Sequence, residues 1–206
     1  MTGVVYFSVS MSLDGYIAPN SPEELMGQQW MELQHWVFPT RFFRKSQHLG
    51  AGGETGPDDD IARATFERTG ASVLGKRMFD AGEQMWPEDA PFHTPVYVVT
   101  HERRDPWERP GGTVFHFVND GIEAALDQAR AAAGERDVRI GGGGETILQY
   151  LNAGLVDEFT IALAPVLFGD GIRLFEGVDA SRIALEQREV VPTSRATHLT
   201  YAVRAR

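Results

Sequence analysis

The chain of 206 residues contains no cysteine. That excludes disulfides, thiolate nucleophiles and cysteine-held zinc or iron–sulfur centres. Cations are also scarce: 19 Lys and Arg stand against 29 Asp and Glu, a formal net charge of -10. Such a field opposes nucleic acid and anionic membrane surfaces as partners, so any bound anion must be held by local groups. No apolar run approaches the roughly 20 residues of a membrane span. The N-terminus lacks the basic and apolar regions of a signal peptide, so a cytoplasmic protein is expected. The six histidines show no metal-ligand spacing, and neither H-E-x-x-H nor G-x-S-x-G occurs. No metal and no serine hydrolase is therefore expected. What remains is ordinary globular composition, suited to a single domain over residues 1–206.

Glycine is the residue in conspicuous supply, and residues 139–158, RIGGGGETILQYLNAGLVDE, concentrate it. Val138 and Ile140 end an apolar strand, and Gly141, Gly142, Gly143 and Gly144 follow. Consecutive glycines are costly to order, which points to backbone that only glycine supplies. A positive φ is expected at Gly143. A helix follows with Ile147, Leu148, Leu151 and Leu155 on one face, closed by Gly154. A glycine turn feeding a helix start presents bare N–H groups and partial positive charge, a place for phosphate or pyrophosphate. The alternative is a tight turn that serves packing alone. The spacing matches neither the dinucleotide fingerprint nor a P-loop.

Residues 4–13 alternate Val5, Phe7, Val9, Met11 and Leu13 with Ser8, Ser10 and Ser12. This predicts a strand with a greasy face and a hydroxyl face, the latter for close packing or for the floor of a ligand cleft. Asp14-Gly15 turns the chain. Residues 19–60 form an aromatic-rich insertion or lid. Ser21-Pro22-Glu23-Glu24 suits a helix start, and Trp30, Leu33, Trp36 and Val37 suit its apolar face. Residues 50–60 read as a mobile glycine and acid loop. Asp58, Asp59 and Asp60 suit the start of a further helix, which Gly70 is expected to stop.

Two more polar clusters follow apolar strands: Gly75-Lys76-Arg77, and Thr100-His101-Glu102-Arg103-Arg104. Asp120 and Glu123 suggest a capping box for a helix bearing Ile122, Leu126 and Ala129, closed by Gly134. Residues 158–165 predict a strand with Phe159, Ile161 and Leu163 inward, and residues 183–191 and 196–203 predict a terminal hairpin. Strands alternating with helices, then strands alone, predict an α/β sheet, parallel first and antiparallel at the end. Three polar clusters at carboxyl ends of strands mark one ligand edge, and a dinucleotide would satisfy all three.

In that order, SLDGYIA, VLGKRMF, VYVVTHERR and IGGGGETILQYLNAGLVDEFTI resemble the dihydrofolate-reductase-like superfamily. The branch is that of the reductase domain of the riboflavin-biosynthesis deaminase-reductase. The resemblance implies a three-layer α/β fold, a central mixed sheet with helices on both faces, and an NADPH-dependent reductase. It places the pyrophosphate at Gly141, Gly142, Gly143 and Gly144, with Glu145 and Thr146 beginning the helix. Gly75, Lys76 and Arg77 would meet phosphate near the adenosine half. Thr100, His101 and Arg103 would lie by the ribose 2′-phosphate. Ser10, Ser12, Tyr16, Trp30 and Trp36 are the substrate candidates, and Asp14 is the candidate acid or orienting group. Met78 stands where the family commonly has Thr, and Tyr16 where the biosynthetic reductases commonly have Lys or Arg. The implied substrate is a small heterocycle or carbonyl or imine compound of pyrimidine or pterin type, and the alternative is a non-catalytic module that kept the NADP site. Analogy and the apolar run of residues 159–168 imply a homodimer through the late strands.

Overall fold

A computed structural model describes residues 3–21, 24–25 and 27–206. In chain order the elements begin with β1 (Val5–Ser12), β2 (Tyr16–Ala18), α1 (Gln28–Leu33), α2 (Arg41–Ser46) and α3 (Pro57–Arg68). There follow β3 (Thr69–Gly75), α4 (Lys76–Glu83), β4 (Pro95–Val99), β5 (Trp107–Glu108), β6 (Val114–Val118) and α5 (Gly121–Ala133). The chain ends with β7 (Asp137–Gly142), α6 (Gly144–Asn152), β8 (Glu158–Ala164), β9 (Ile172–Arg173), β10 (Ile183–Pro192) and β11 (Thr197–Ala205). Pro22 and Glu23 of the expected helix start lie outside the described residues. The chain divides into two compact units, Met1–Phe7 with Glu67–Asp157 and Ser8–Phe66 with Glu158–Arg206.

In the first unit the strand order is β1-β7-β3-β4-β6-β5. The β1–β7, β7–β3, β3–β4 and β4–β6 pairs are parallel, and the short β5 is antiparallel to β6. Every residue of β3 is buried, as a parallel strand covered on both faces requires. Helix α5 lies against β3, β4 and β7 through Ala125, Leu126 and Ala129. A second cluster gathers Leu74, Phe79, Val96, Val98 and Phe115, with Trp86 stacked on Phe115. In the second unit the order is β10-β11-β8-β1, with β10–β11 and β11–β8 antiparallel. β2 pairs separately with β9. Trp36, Ala62, Ala162 and Ala196 form the core there. The expected class, mixed α/β with mostly parallel strands and an antiparallel terminal hairpin, is what the structure has.

Several local expectations are corrected. Leu13 is 62% exposed while Ser10 and Ser12 are buried, because β1 ends at Ser12 and Leu13 is already leaving the strand. Gly70 does not stop a helix; α3 ends at Arg68 and Gly70 lies inside β3. A Cβ there would meet the Ala133 Cα at 2.9 Å, so its role is close approach to α5. Asp120 precedes α5 but makes no capping hydrogen bond. Along β8 the buried residues are Phe159, Ile161, Ala162 and Ala164, and Leu163 is only half-buried. The 50–60 loop is tied down at Glu54, whose N–H donates to the Pro39 carbonyl and whose carboxylate binds Arg195 at 2.6 and 2.8 Å.

The α6 face is also rearranged. Ile147, Tyr150 and Leu151 are buried, while Leu148 and Leu155 are half-buried. Gly154 ends the helix at φ +69°, as expected, and the Leu155 N–H donates to the Tyr150 carbonyl. The Tyr150 hydroxyl donates to the Ile122 carbonyl at 2.6 Å, joining α6 to α5, and burial raises its pKa. Tyr150→Phe keeps the ring and deletes this bond. We expect it to cost about 1 kcal/mol, a fall of roughly 2–4 °C in thermal midpoint, checked by calorimetry.

Candidate functional site

Because β7, β3 and β4 are parallel neighbours, their carboxyl ends open on the same edge of the first unit. That edge is where open α/β sheets bind ligands. The turns leaving these strands are the three polar clusters of the sequence, and they touch one another. A Cβ on Gly75 would stand 2.1 Å from the Thr146 Oγ1 and 3.7 Å from the Gly142 carbonyl oxygen. Only glycine lets the end of β3 lie so close to the start of α6. On the other side, the Lys76 ammonium reaches the Glu102 carboxylate at 3.2 Å. The first cluster thus bridges the other two.

Two helices start at this edge without a side-chain cap: α4 after Gly75, and α6 after Gly143. Their first N–H groups, reinforced by the helix dipoles, suit an anion. Space lies over the glycine turn, where a Cβ on Gly143 would meet nothing within 4 Å. The expected positive φ is found at Gly142 (+117°), not at Gly143, whose φ is -73°. The Gly142–Gly143 peptide is cis. Gly141 needs its missing Cβ because Leu74 would stand 2.7 Å away. Glu145 is exposed, and Thr146 is buried against Gly75.

The cations are not idle. Lys76 binds both oxygens of Asp80, at 2.6 and 2.7 Å, before it reaches Glu102. Asp80, with Glu102 second, raises the lysine pKa. Arg77 begins α4 beside it. After β4 the Thr100 hydroxyl accepts the Glu102 N–H at 3.0 Å, and Asn119 Nδ2 donates to the carbonyls of Thr100 and Glu102. The Thr100 hydroxyl therefore helps to shape the loop that displays His101 and Arg103, both exposed. Arg103, Arg104, Asp105, Asn119 and Asp120 line a shallow recess. Arg104 is anchored there by Glu83 at 2.7 Å and by the rings of Phe79, Trp107 and Phe117.

The remaining candidates belong to the second unit. Ser10 Oγ accepts from Trp36 Nε1 at 2.8 Å and donates to Gln34 Oε1 at 3.2 Å. Ser12 Oγ donates to Asp14 at 2.6 Å and accepts the Tyr16 N–H at 2.9 Å. These bonds tie Ser10 and Ser12 to neighbouring groups. Asp14 further accepts from the N–H groups of Phe168 and Gly169. The Ser12 hydroxyl, with those amides, holds its pKa down to about 2. Tyr16 is buried, with Arg173 stacked 4.4 Å from its ring centre and bonded to its hydroxyl at 2.8 Å. Trp30 is half-buried near Phe38.

Sequence reasoning missed Arg173, which puts a cation at Tyr16 from a distant strand. It also missed the pairing of His198 with Asp58 at 2.8 Å, under the edge of Trp36. Asp58 and Asp59 do lie in the first turn of α3, yet each also serves a remote partner, His198 and the Phe42 N–H. Nothing local in the sequence signals either contact. Among the described residues, no group of three metal-binding side chains gathers, and no helix is long and apolar enough to cross a membrane.

Comparison with known proteins adds family context. Residues 4–199 match the family model of the RibD C-terminal domain. The uncharacterized protein YyaP of Bacillus subtilis (strain 168) is 29% identical over 125 residues, 57% of this chain and 66% of the relative, so the chain spans just under two thirds of that protein. A candidate riboflavin biosynthesis protein of Shewanella sp. PV-4 has a similar structure, with a TM-score of 0.67, 24% identity and 99% of each chain covered. Dihydrofolate reductase from Enterococcus faecalis, solved with NADP(H), aligns with a TM-score of 0.58, 16% identity and 98% of each chain covered. At these identities the structural likeness establishes the fold.

The Asp14 cluster yields a pH expectation. A carboxylate whose folded pKa lies below its ordinary value, about 4, stabilises the fold above that value. The contribution is lost as pH falls through about 2. Asp14→Asn should therefore be less stable than the parent near neutrality. The gap between their urea midpoints should close as pH falls from about 4 to 2. A gap that stays constant over that range contradicts the assignment.

Proposed function

The chain belongs to the RibD C-terminal domain family, and from that premise we propose that it is an NADPH-dependent reductase of small heterocyclic, carbonyl or imine substrates, of the pyrimidine or pterin type. The observation that carries the proposal is the meeting of three phosphate-suited turns at the shared edge of β7, β3 and β4. The residues present fit the cofactor. The glycine turn leaves open space at Gly143, and α4 and α6 start there without side-chain caps. Lys76, Arg77 and Arg103 supply the positive charge that a chain of net charge -10 does not supply globally.

When bound, the nicotinamide supplies a hydride. This chain's groups would do the rest. The glycine turn and the start of α6 would hold the pyrophosphate, Lys76 and Arg77 would meet the phosphate of the adenosine half, the 2′-phosphate included, and Arg103 would add charge there. Glu145 and Thr146 would set the first turn of α6, and Thr100 and His101 the loop beside the ribose. In the second unit Ser10, Ser12, Tyr16, Trp30 and Trp36 are assigned to substrate, with Ser10, Ser12 and Tyr16 acting through the framework they brace. Asp14 is assigned an orienting role, because a carboxyl with a pKa of about 2 is ionised at neutral pH and carries no proton to give. The second reading is a module that binds NADP without turnover. We place the protein in the cytoplasm.

Following the absorbance of NADPH with pterins, pyrimidines and small carbonyl compounds separates the two readings: turnover establishes the first, and tight binding without turnover the second. NADPH should bind more tightly than NADH at fixed salt. Gly143→Val tests the turn itself. Its φ of -73° suits any residue, and an added Cβ meets nothing within 4 Å. The thermal midpoint should move by no more than about 2–4 °C, the equivalent of ~1 kcal/mol. NADPH binding should be lost, and a folded variant with unchanged affinity would remove the pyrophosphate assignment.

We also propose a homodimer through the late strands. β10 is the outermost strand of its sheet, with Leu185 51% and Val190 44% exposed, an edge that invites pairing. Light scattering at micromolar concentration should give twice the chain mass. A monomer refutes it.

A further inference from the structure

The adenosine end of the proposed cofactor site contains a carboxylate in contact with its lysine. Glu102 is held there by its backbone: its N–H donates to the Thr100 hydroxyl, and its carbonyl accepts from Asn119 at 2.8 Å. From this pinned position the side chain reaches Lys76 at 3.2 Å while remaining 68% exposed. An ammonium has three N–H groups. Asp80 takes contacts at 2.6 and 2.7 Å with its two oxygens, and Glu102 supplies the third acceptor atom. One positive charge thus faces two negative ones.

A phosphate that engages Lys76 must displace a carboxylate. Asp80 sits one helical turn beyond Lys76 on α4, holds it with both oxygens, and moves with it. Glu102 makes the longer contact, is the more exposed, and comes from a different element. It is the partner that yields. Its neighbour in sequence, Arg103, lines the adjoining recess. The loop therefore offers an acceptor-only carboxylate and a guanidinium side by side. The first suits a ribose diol, whose hydroxyls donate, and opposes a second phosphate on the ribose; the second suits that phosphate.

We infer that Glu102 is a specificity-determining residue that holds down the preference for a 2′-phosphorylated adenosine, by occupying Lys76 and by opposing the phosphate charge. The inference rests on the cofactor reading above. It adds that the margin by which the phosphorylated cofactor is preferred is set by competition at one lysine.

Calorimetric titration of the full chain with adenosine 2′,5′-bisphosphate and with adenosine 5′-monophosphate tests it, in the parent and in Glu102→Gln. Gln keeps the shape and removes the charge, and at an exposed position it leaves the fold intact. The bisphosphate should bind about 10-fold more tightly to the variant, and the monophosphate should change by less than about 2-fold, since an opposing charge a few ångströms away acts mainly on the added phosphate. In a Lys76→Met background the gain should shrink, because the lysine that Glu102 occupies is gone. If both probes bind and the ratio of their affinities is the same in parent and variant, Glu102 does not set the margin and the inference fails alone. If neither probe binds either protein, the cofactor reading falls and takes the inference with it.

Discussion

A glycine with no room for a side chain holds this site together. Gly75 ends β3 against Thr146, at a distance that any Cβ would violate. That contact joins the turn after β3 to the turn after β7, and Lys76, the next residue, joins it to the turn after β4. Parallel pairing brings three strand ends to one edge, but only to the usual spacing of about 4.8 Å between strands. The missing Cβ closes the last gap. The aromatic cluster around Phe79 then fixes α4 from below, with Phe115 and Trp86 at its centre. The cations of α4 thus belong to a helix packed on a buried aromatic cluster.

The charges at that edge are arranged as pairs. Lys76 has Asp80 and Glu102, and Arg104 has Glu83. Exposed pairs of this kind contribute little to stability, about 0–1 kcal/mol each. Their consequence is for binding. They hold cations in place at a site with an acidic surround, and on the proposed reading an incoming phosphate would compete with a resident carboxylate. On the reading proposed above, specificity would arise from a difference between two anions at one cation.

The second unit shows the same economy around Asp14. One carboxylate accepts the Ser12 hydroxyl and the amides of Phe168 and Gly169, and so fastens the turn after β1 to the loop after β8. Ser12 takes part in this network, and Ser10 is bonded to Trp36. Two further ties, Glu54 with Arg195 and Asp58 with His198, fix residues 54–58 to the strand β11 and the turn before it. A stretch rich in glycine and acid is thereby ordered by partners about 140 residues away in the chain.

Much of the fold was legible without coordinates. The alternation of strand and helix, the terminal hairpin, the helix end at Gly154 and the order of the three polar turns are all written in local pattern, because hydrophobic periodicity and glycine placement act over a few residues. The resemblance to the reductase family rested on those same local motifs. Within the glycine run, φ at Gly142 rather than Gly143, and the choice of Tyr150 over Leu148 for the core, depend on what lies opposite each residue. So do the burial of Ser12, the cation that Arg173 brings to Tyr16, and the contact of Glu102 with Lys76. The sequence by itself determined the elements, their order and the residue types at each strand end. The tertiary structure alone decided which of those residues touch, since contacts between distant segments follow from strand pairing and from the space a missing Cβ leaves, neither of which has a local signature.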